Sequence, residues 1–163
     1  MYHQYAPFFS ELWHKIRNGE SLTYSWNIGM GTNFTSLFAY YLASPSNWFV
    51  ALFPQKYTIE IMNAFIILKI AGSSLSLTYY LTKHNNNKHV IAAIFGMFYG
   101  MSGFIAAYSW NIMWLDCVIL IPLIMLGLER LVNENRCIFY CITLGLCIFT
   151  CLLYTSDAAD EAR

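Results

Sequence analysis

Charge is scarce in this 163-residue chain: Asp, Glu, Lys and Arg make up 11% of it, nine of each sign, and the formal net charge is zero. A soluble domain carries roughly 25% charged residues, so the deficit points to lipid rather than to a larger soluble core. No basic stripe collects phosphates, which argues against a nucleic-acid partner. Cys117, Cys137, Cys141, Cys147 and Cys151 lie in apolar runs, without CxxC or Cys/His ligand spacing, and read as small apolar filler. A phosphate-binding glycine loop, a nucleophile elbow and a zinc motif are also missing. Met1 is followed at once by the polar-aromatic Tyr2-His3-Gln4-Tyr5, with no n-region or h-region of a signal peptide.

Apolar residues are abundant instead: 58% of the chain is hydrophobic and 18% aromatic, with a mean hydropathy of +0.46. In residues 6–19, Phe8, Phe9, Leu12, Trp13 and Ile16 share one side of a helix, and Glu11, His14, Lys15 and Arg17 the other. Asn18-Gly19 is the expected stop. This amphipathic helix would lie on a membrane surface or on the rest of the protein. Trp26-Asn27-Ile28-Gly29-Met30-Gly31-Thr32-Asn33 reads as a loop, and residues 34–53, broken by Ser44-Pro45-Ser46-Asn47, as two short interfacial helices.

Four hydrophobic spans are predicted at about 61–81, 90–108, 112–128 and 137–153. Ala92, Gly96, Gly100 and Gly103 line one face of the second, where small residues permit close helix approach inside one bundle. Lys83, Lys88, Arg130 and Arg136 fall in the loops 83–89 and 129–136, whereas the turn 108–111 is uncharged. The positive-inside rule then puts both charged loops in the cytoplasm, and residues 1–57 and the turn outside. Trp48, Tyr57, Trp110 and Trp114 would sit at the outer interface. The fold expected is all-α: a polytopic transmembrane helical bundle fragment with an amphipathic, partly helical external loop. Residues 1–57 form that loop and 58–150 the membrane region. Residues 151–163 resemble a translated sequencing adapter through Cys-Leu-Leu-Tyr-Thr-Ser-Asp-Ala-Ala-Asp-Glu, and are set aside as a non-native tail that interrupts the fourth span.

Lys69 falls near the middle of the first span, where an ammonium costs about 2.5–3.5 kcal/mol on insertion scales. Ser73, Ser76 and Tyr80 follow at helical spacing as a polar stripe. The stripe suits binding of an anionic group such as a lipid-linked phosphate, and equally a structural ion pair or carbonyl contact. Asp116, the one aspartate outside the tail, lies one turn inside the third span. It could be a metal ligand or general base, or a helix-start carboxylate favoured by the dipole. Glu60 has the same two readings at the start of the first span. Glu11 and Glu20 read as solvated charges. Asn33-Phe34-Thr35 matches a glycosylation sequon, a weak three-residue signal.

Tyr2-His3-Gln4-Tyr5-Ala6-Pro7-Phe8-Phe9, the 26–33 loop and Tyr40-Tyr41-Leu42-Ala43-Ser44-Pro45 together resemble the first external loop of the bacterial YfhO family of membrane proteins. Asn111-Ile112-Met113-Trp114-Leu115-Asp116 with Leu120-Ile121-Pro122-Leu123 resembles that family's later turn and span. The likeness covers residues 1–150. It implies a GT-C type glycosyltransferase in the bacterial cytoplasmic membrane, transferring sugar from a polyprenyl-phosphate donor to a cell-envelope polymer such as teichoic acid on the outer face. A divalent metal in the parent protein is left open. The family pattern places a catalytic acid immediately before Tyr2, where this chain has Met1, so the fragment is expected to lack its first span and that acid, and to be inactive. Under the resemblance Lys69, His3, Gln4 and Asn33 are the substrate-side candidates, and Asp116 is the surviving carboxylate. The competing expectation is a non-enzymatic polytopic protein, a lipid transporter or an envelope-assembly scaffold.

Overall fold

The computed structural model describes residues 5–42, 44–85 and 89–150; His3, Gln4 and the 151–163 tail lie outside them. The chain divides into two compact units, one reaching Phe65 and the other Ile66–Phe149. Among the described residues extended structure is confined to two strands of two residues each, so the all-α class holds.

The first unit opens with α1 (Tyr5–Asn18), which stops where Gly19 turns left-handed at φ +66°. Tyr5, Phe9 and Leu12 are buried along one face. That face packs against a π-helical turn (Phe38–Leu42) and a 3-10 helix (Pro45–Leu52), so the helix lies on the protein. Tyr41 meets Tyr5 edge-on at 5.3 Å between ring centroids. Trp13 Nε1 donates to Phe53 O at 2.6 Å, and Gln55 Nε2 to Ser10 Oγ at 2.6 Å, tying α1 to the turn before the first span.

The polar face of α1 departs from expectation. Glu11 and Lys15 are both buried, not solvated. Between α1 and α2 (Phe34–Leu37), a hairpin of β1 (Tyr24–Ser25) and β2 (Thr32–Asn33) folds over them and supplies their partners. Ser25 Oγ donates to Glu11 Oε1 at 2.6 Å and Asn27 Nδ2 to Oε2 at 3.1 Å. Lys15 Nζ donates to the carbonyls of Ser21 and Tyr24 at 2.9 and 2.8 Å. Burial is tolerable because each charge finds fixed polar groups in place of water. Glu20, by contrast, is exposed.

Residues 34–52 form two helical pieces. The Ser44-Pro45 junction separates them, because a residue preceding proline is driven out of the α region; Ser44 sits at ψ 129°. A short 3-10 turn (Gln55–Tyr57) leads into α3 (Thr58–His84), within which the boundary between the units falls.

The second unit continues along α3 and contains α4 (His89–Gly100), α5 (Gly103–Tyr108), α6 (Ile112–Glu134) and α7 (Ile138–Thr150). Gln55–His84, His89–Tyr108 and Ile112–Glu134 are each long and apolar enough to cross a membrane; α7, with 13 described residues, is shorter. At 1.5 Å per residue the 27 residues of α3 reach about 40 Å, beyond a hydrocarbon core of about 30 Å. Two details differ from the predicted spans. The second is broken at Met101-Ser102, where α5 begins afresh. The third runs on to Glu134, so most of the expected 129–136 loop is helical and ends at Asn135 in a left-handed cap, φ 55°.

α3 and α4 run antiparallel in close contact. A Cβ on Gly96 would fall 2.6 Å from Ser74 O and collide with Thr78 Oγ1; one on Gly100 would meet Ser74 Oγ. Gly103, the fourth member of the predicted small-residue face, has open space around its Cβ position. A Cβ on Gly127 would stand 2.8 Å from Tyr140 Cα, marking a similar approach of α6 to α7. Ile105, Leu115 and Val118 form a buried cluster with Ile66, Ile70 and Tyr99 against it. Elsewhere large apolar groups point outward, Leu75 at 69% and Val90 at 75% exposure. A water-soluble surface would not present them so densely; a lipid-facing one does.

Candidate functional site

Among the described residues, the interior of the second unit contains a buried charge pair that the apolar pattern does not explain. Lys69, on α3, is 5% exposed and Asp116, on α6, 13%. Lys69 Nζ donates to Asp116 Oδ2 at 2.8 Å and to Ile112 O at 3.2 Å. Two residues singled out separately in the sequence are thereby brought together, as an ion pair with a carbonyl contact. In hydrocarbon each charge alone is costly, and mutual contact is how such groups persist.

The rest of the stripe follows the same buried face. Ser73 and Ser76 are buried, and their hydroxyls turn back onto the carbonyls of Ile70 and Ser73 at 2.7 and 2.9 Å. Serines bonded this way present less donor capacity to a ligand. Tyr80 reaches across to α6, its hydroxyl donating to Glu129 Oε1 at 2.7 Å. His84 Nδ1 lies 2.9 Å from the same oxygen. Since both Lys69–Asp116 and Tyr80–Glu129 advance along the two helices together, α3 and α6 run parallel. An aromatic group, Phe104, Tyr108 and Trp114, gathers near the start of α6, with ring centroids 5.3–6.3 Å apart.

Asn33 is placed otherwise. Its Oδ1 accepts from Thr35 N at 3.0 Å, the ordinary cap of α2 in the first unit. Glu60 is exposed near the start of α3. A divalent metal does not fit the described part of the site: Asp116 is a single carboxylate already engaged by an ammonium, and no cluster of three His, Cys, Asp or Glu exists among the described residues.

The Tyr80–Glu129–His84 group is not legible in the sequence, because Glu129 lies beyond the apolar run that marks the third span and only the helical extension to Glu134 turns it toward α3. The Glu11–Lys15 pair has a visible signal in its i, i+4 spacing.

A family model described as Bacterial membrane protein YfhO matches residues 1–151. The chain belongs to the YfhO family of bacterial membrane proteins. It is a multi-pass integral membrane protein. No curated protein and no solved structure matches it.

Proposed function

We propose that the full-length protein is a glycosyltransferase of the GT-C type, carrying sugar from a polyprenyl-phosphate donor to an envelope polymer such as teichoic acid on the outer face of the bacterial cytoplasmic membrane. Family membership supports the reading, and the buried Lys69–Asp116 pair carries it. An ionisable pair between spans is a functional candidate by default. In this reading the donor phosphate competes for Lys69 and releases the Asp116 carboxylate. The acceptor hydroxyl attacks the anomeric carbon, the bond from that carbon to the phosphate oxygen breaks, and polyprenyl phosphate leaves with the electron pair. The freed carboxylate takes the hydroxyl proton. Residues 1–57 form the external, partly interfacial loop and 58–150 the membrane region. His3, Gln4 and Asn33 belong to the external, substrate side.

The satisfied geometry of Lys69 favours a second reading, in which the pair only holds α3 to α6 in a non-enzymatic transporter or scaffold. A double substitution separates them. Lys69→Met alone strands a buried carboxylate and should cost about 3–5 kcal/mol, whereas Lys69→Met with Asp116→Leu removes both charges and should recover most of that stability. The enzyme reading expects the double variant of the full-length protein to fold in the membrane and to lose envelope glycosylation. Wild-type sugar content from that variant would sink it.

A further inference from the structure

At the end of the second unit where α3 finishes and the 134–138 turn lies, a cleft of about 640 Å³ opens between the helices. Lys83, His84, Glu129, Arg130, Asn133 and Glu134 line it, with Leu126 at its apolar side. Its charges are unevenly matched. Glu129 accepts from Tyr80 and faces His84, and Glu134 lies 3.8 Å from Arg136. Lys83 and Arg130 have no carboxylate partner among the described residues. Each instead rests over an aromatic ring, Lys83 on Tyr79 at 5.9 Å and Arg130 on Phe139 at 5.2 Å.

We infer that this cleft binds the phosphodiester headgroup of an anionic phospholipid with a hydroxylated head, of the phosphatidylglycerol kind. The two unmatched cations supply the charge complement, and rings beneath them hold both side chains at the rim. Asn133 and Glu134 offer hydrogen-bond partners to headgroup hydroxyls, which a bare phosphate would leave unused. The place is suited to it: both helices are span-length, so their shared end lies at the depth of lipid headgroups. Basic pockets between spans are recurrent headgroup sites. The volume falls within the roughly 300–1,000 Å³ of small-ligand sites.

The test uses full-length protein in nanodiscs, with bound lipid read by native mass spectrometry. Phosphatidylglycerol should be retained in preference to phosphatidylcholine. Lys83→Gln and Arg130→Gln should each weaken retention about fivefold, the increment of one basic residue near an anionic headgroup, and the pair together about twenty-five-fold. Arg130→Lys, which keeps charge, should retain the lipid even if the stacking on Phe139 is weakened. Lys56→Gln, in the first unit, should change nothing. Undiminished retention in the double variant would overturn the site, and so would equal binding of phosphatidylcholine. Stronger retention of a polyprenyl phosphate than of phosphatidylglycerol would also overturn it, by assigning the cleft to another lipid.

Discussion

Pro122 lies inside α6 and has no N–H, so the carbonyl of Val118 loses the donor that an uninterrupted helix would provide. Tyr99 on α4 supplies the replacement, its hydroxyl donating to Val118 O at 2.9 Å. A span tolerates proline when a neighbour re-satisfies the freed group. Tyr99→Phe should therefore destabilise the protein by about 1–2 kcal/mol with little change in packing, since it strands a buried acceptor. Denaturation in detergent measures this, and an unchanged midpoint would mean that the carbonyl finds another donor. Individual residues were unevenly legible. Lys69 and Asp116 stood out because a charge in an apolar run has few permitted surroundings. Glu11 and Lys15 deceived because their partners, Ser25, Asn27 and the carbonyls of Ser21 and Tyr24, come from a hairpin whose fold-back no helical periodicity encodes. Asn47 reads from the sequence only as part of the break in residues 34–53, yet it is fully buried, with neither amide atom hydrogen-bonded among the described residues.

Among the elements, α4 depends most on what it lacks. Gly96 and Gly100 admit the backbone and hydroxyls of α3 at distances no side chain could share. Gly100→Leu should push the two helices apart and cost several kcal/mol, because small-residue contacts are the main attraction between spans in lipid. Gly103→Leu is the matched control and should be mild, since its Cβ position is open. A crosslink between cysteines placed on facing positions of α3 and α4 would report the separation; equal crosslinking in both variants would dismiss the contact. The periodic small residues made this face legible. The break at Met101-Ser102 was not, because neither residue forbids a helix; Ser102, extended at ψ 153°, occupies the cap position from which α5 starts. The break at Pro45 was legible for the opposite reason: proline fixes it locally. From Ser21 to Gln55 no residue carries a charge, and Trp48, Phe49, Leu52 and Phe53 are exposed just ahead of α3. A membrane interface accommodates that combination better than water does.

For the whole molecule, hydropathy and length marked three stretches that are built as helices long and apolar enough to cross a membrane, since a bilayer constrains both more tightly than a soluble core would. Pairing between spans was not encoded that way, and the link from Lys69 to Asp116 shows the consequence for assembly. Synthesis delivers Lys69 to the insertion machinery before Asp116 has been translated. During that interval α3 carries an ammonium with no counter-ion, at a cost of about 2.5–3.5 kcal/mol near mid-membrane. Commitment of α3 to lipid should therefore lag until α6 arrives, so that the spans partition cooperatively rather than one by one. A protease-protection assay on chains truncated after Tyr108 and after Glu134 should find α3 better inserted in the longer one. Asp116→Leu should abolish the gain, and equal insertion at both lengths would exclude the dependence. The ion pair that joins two helices in the finished protein thus also imposes an order of events on its birth.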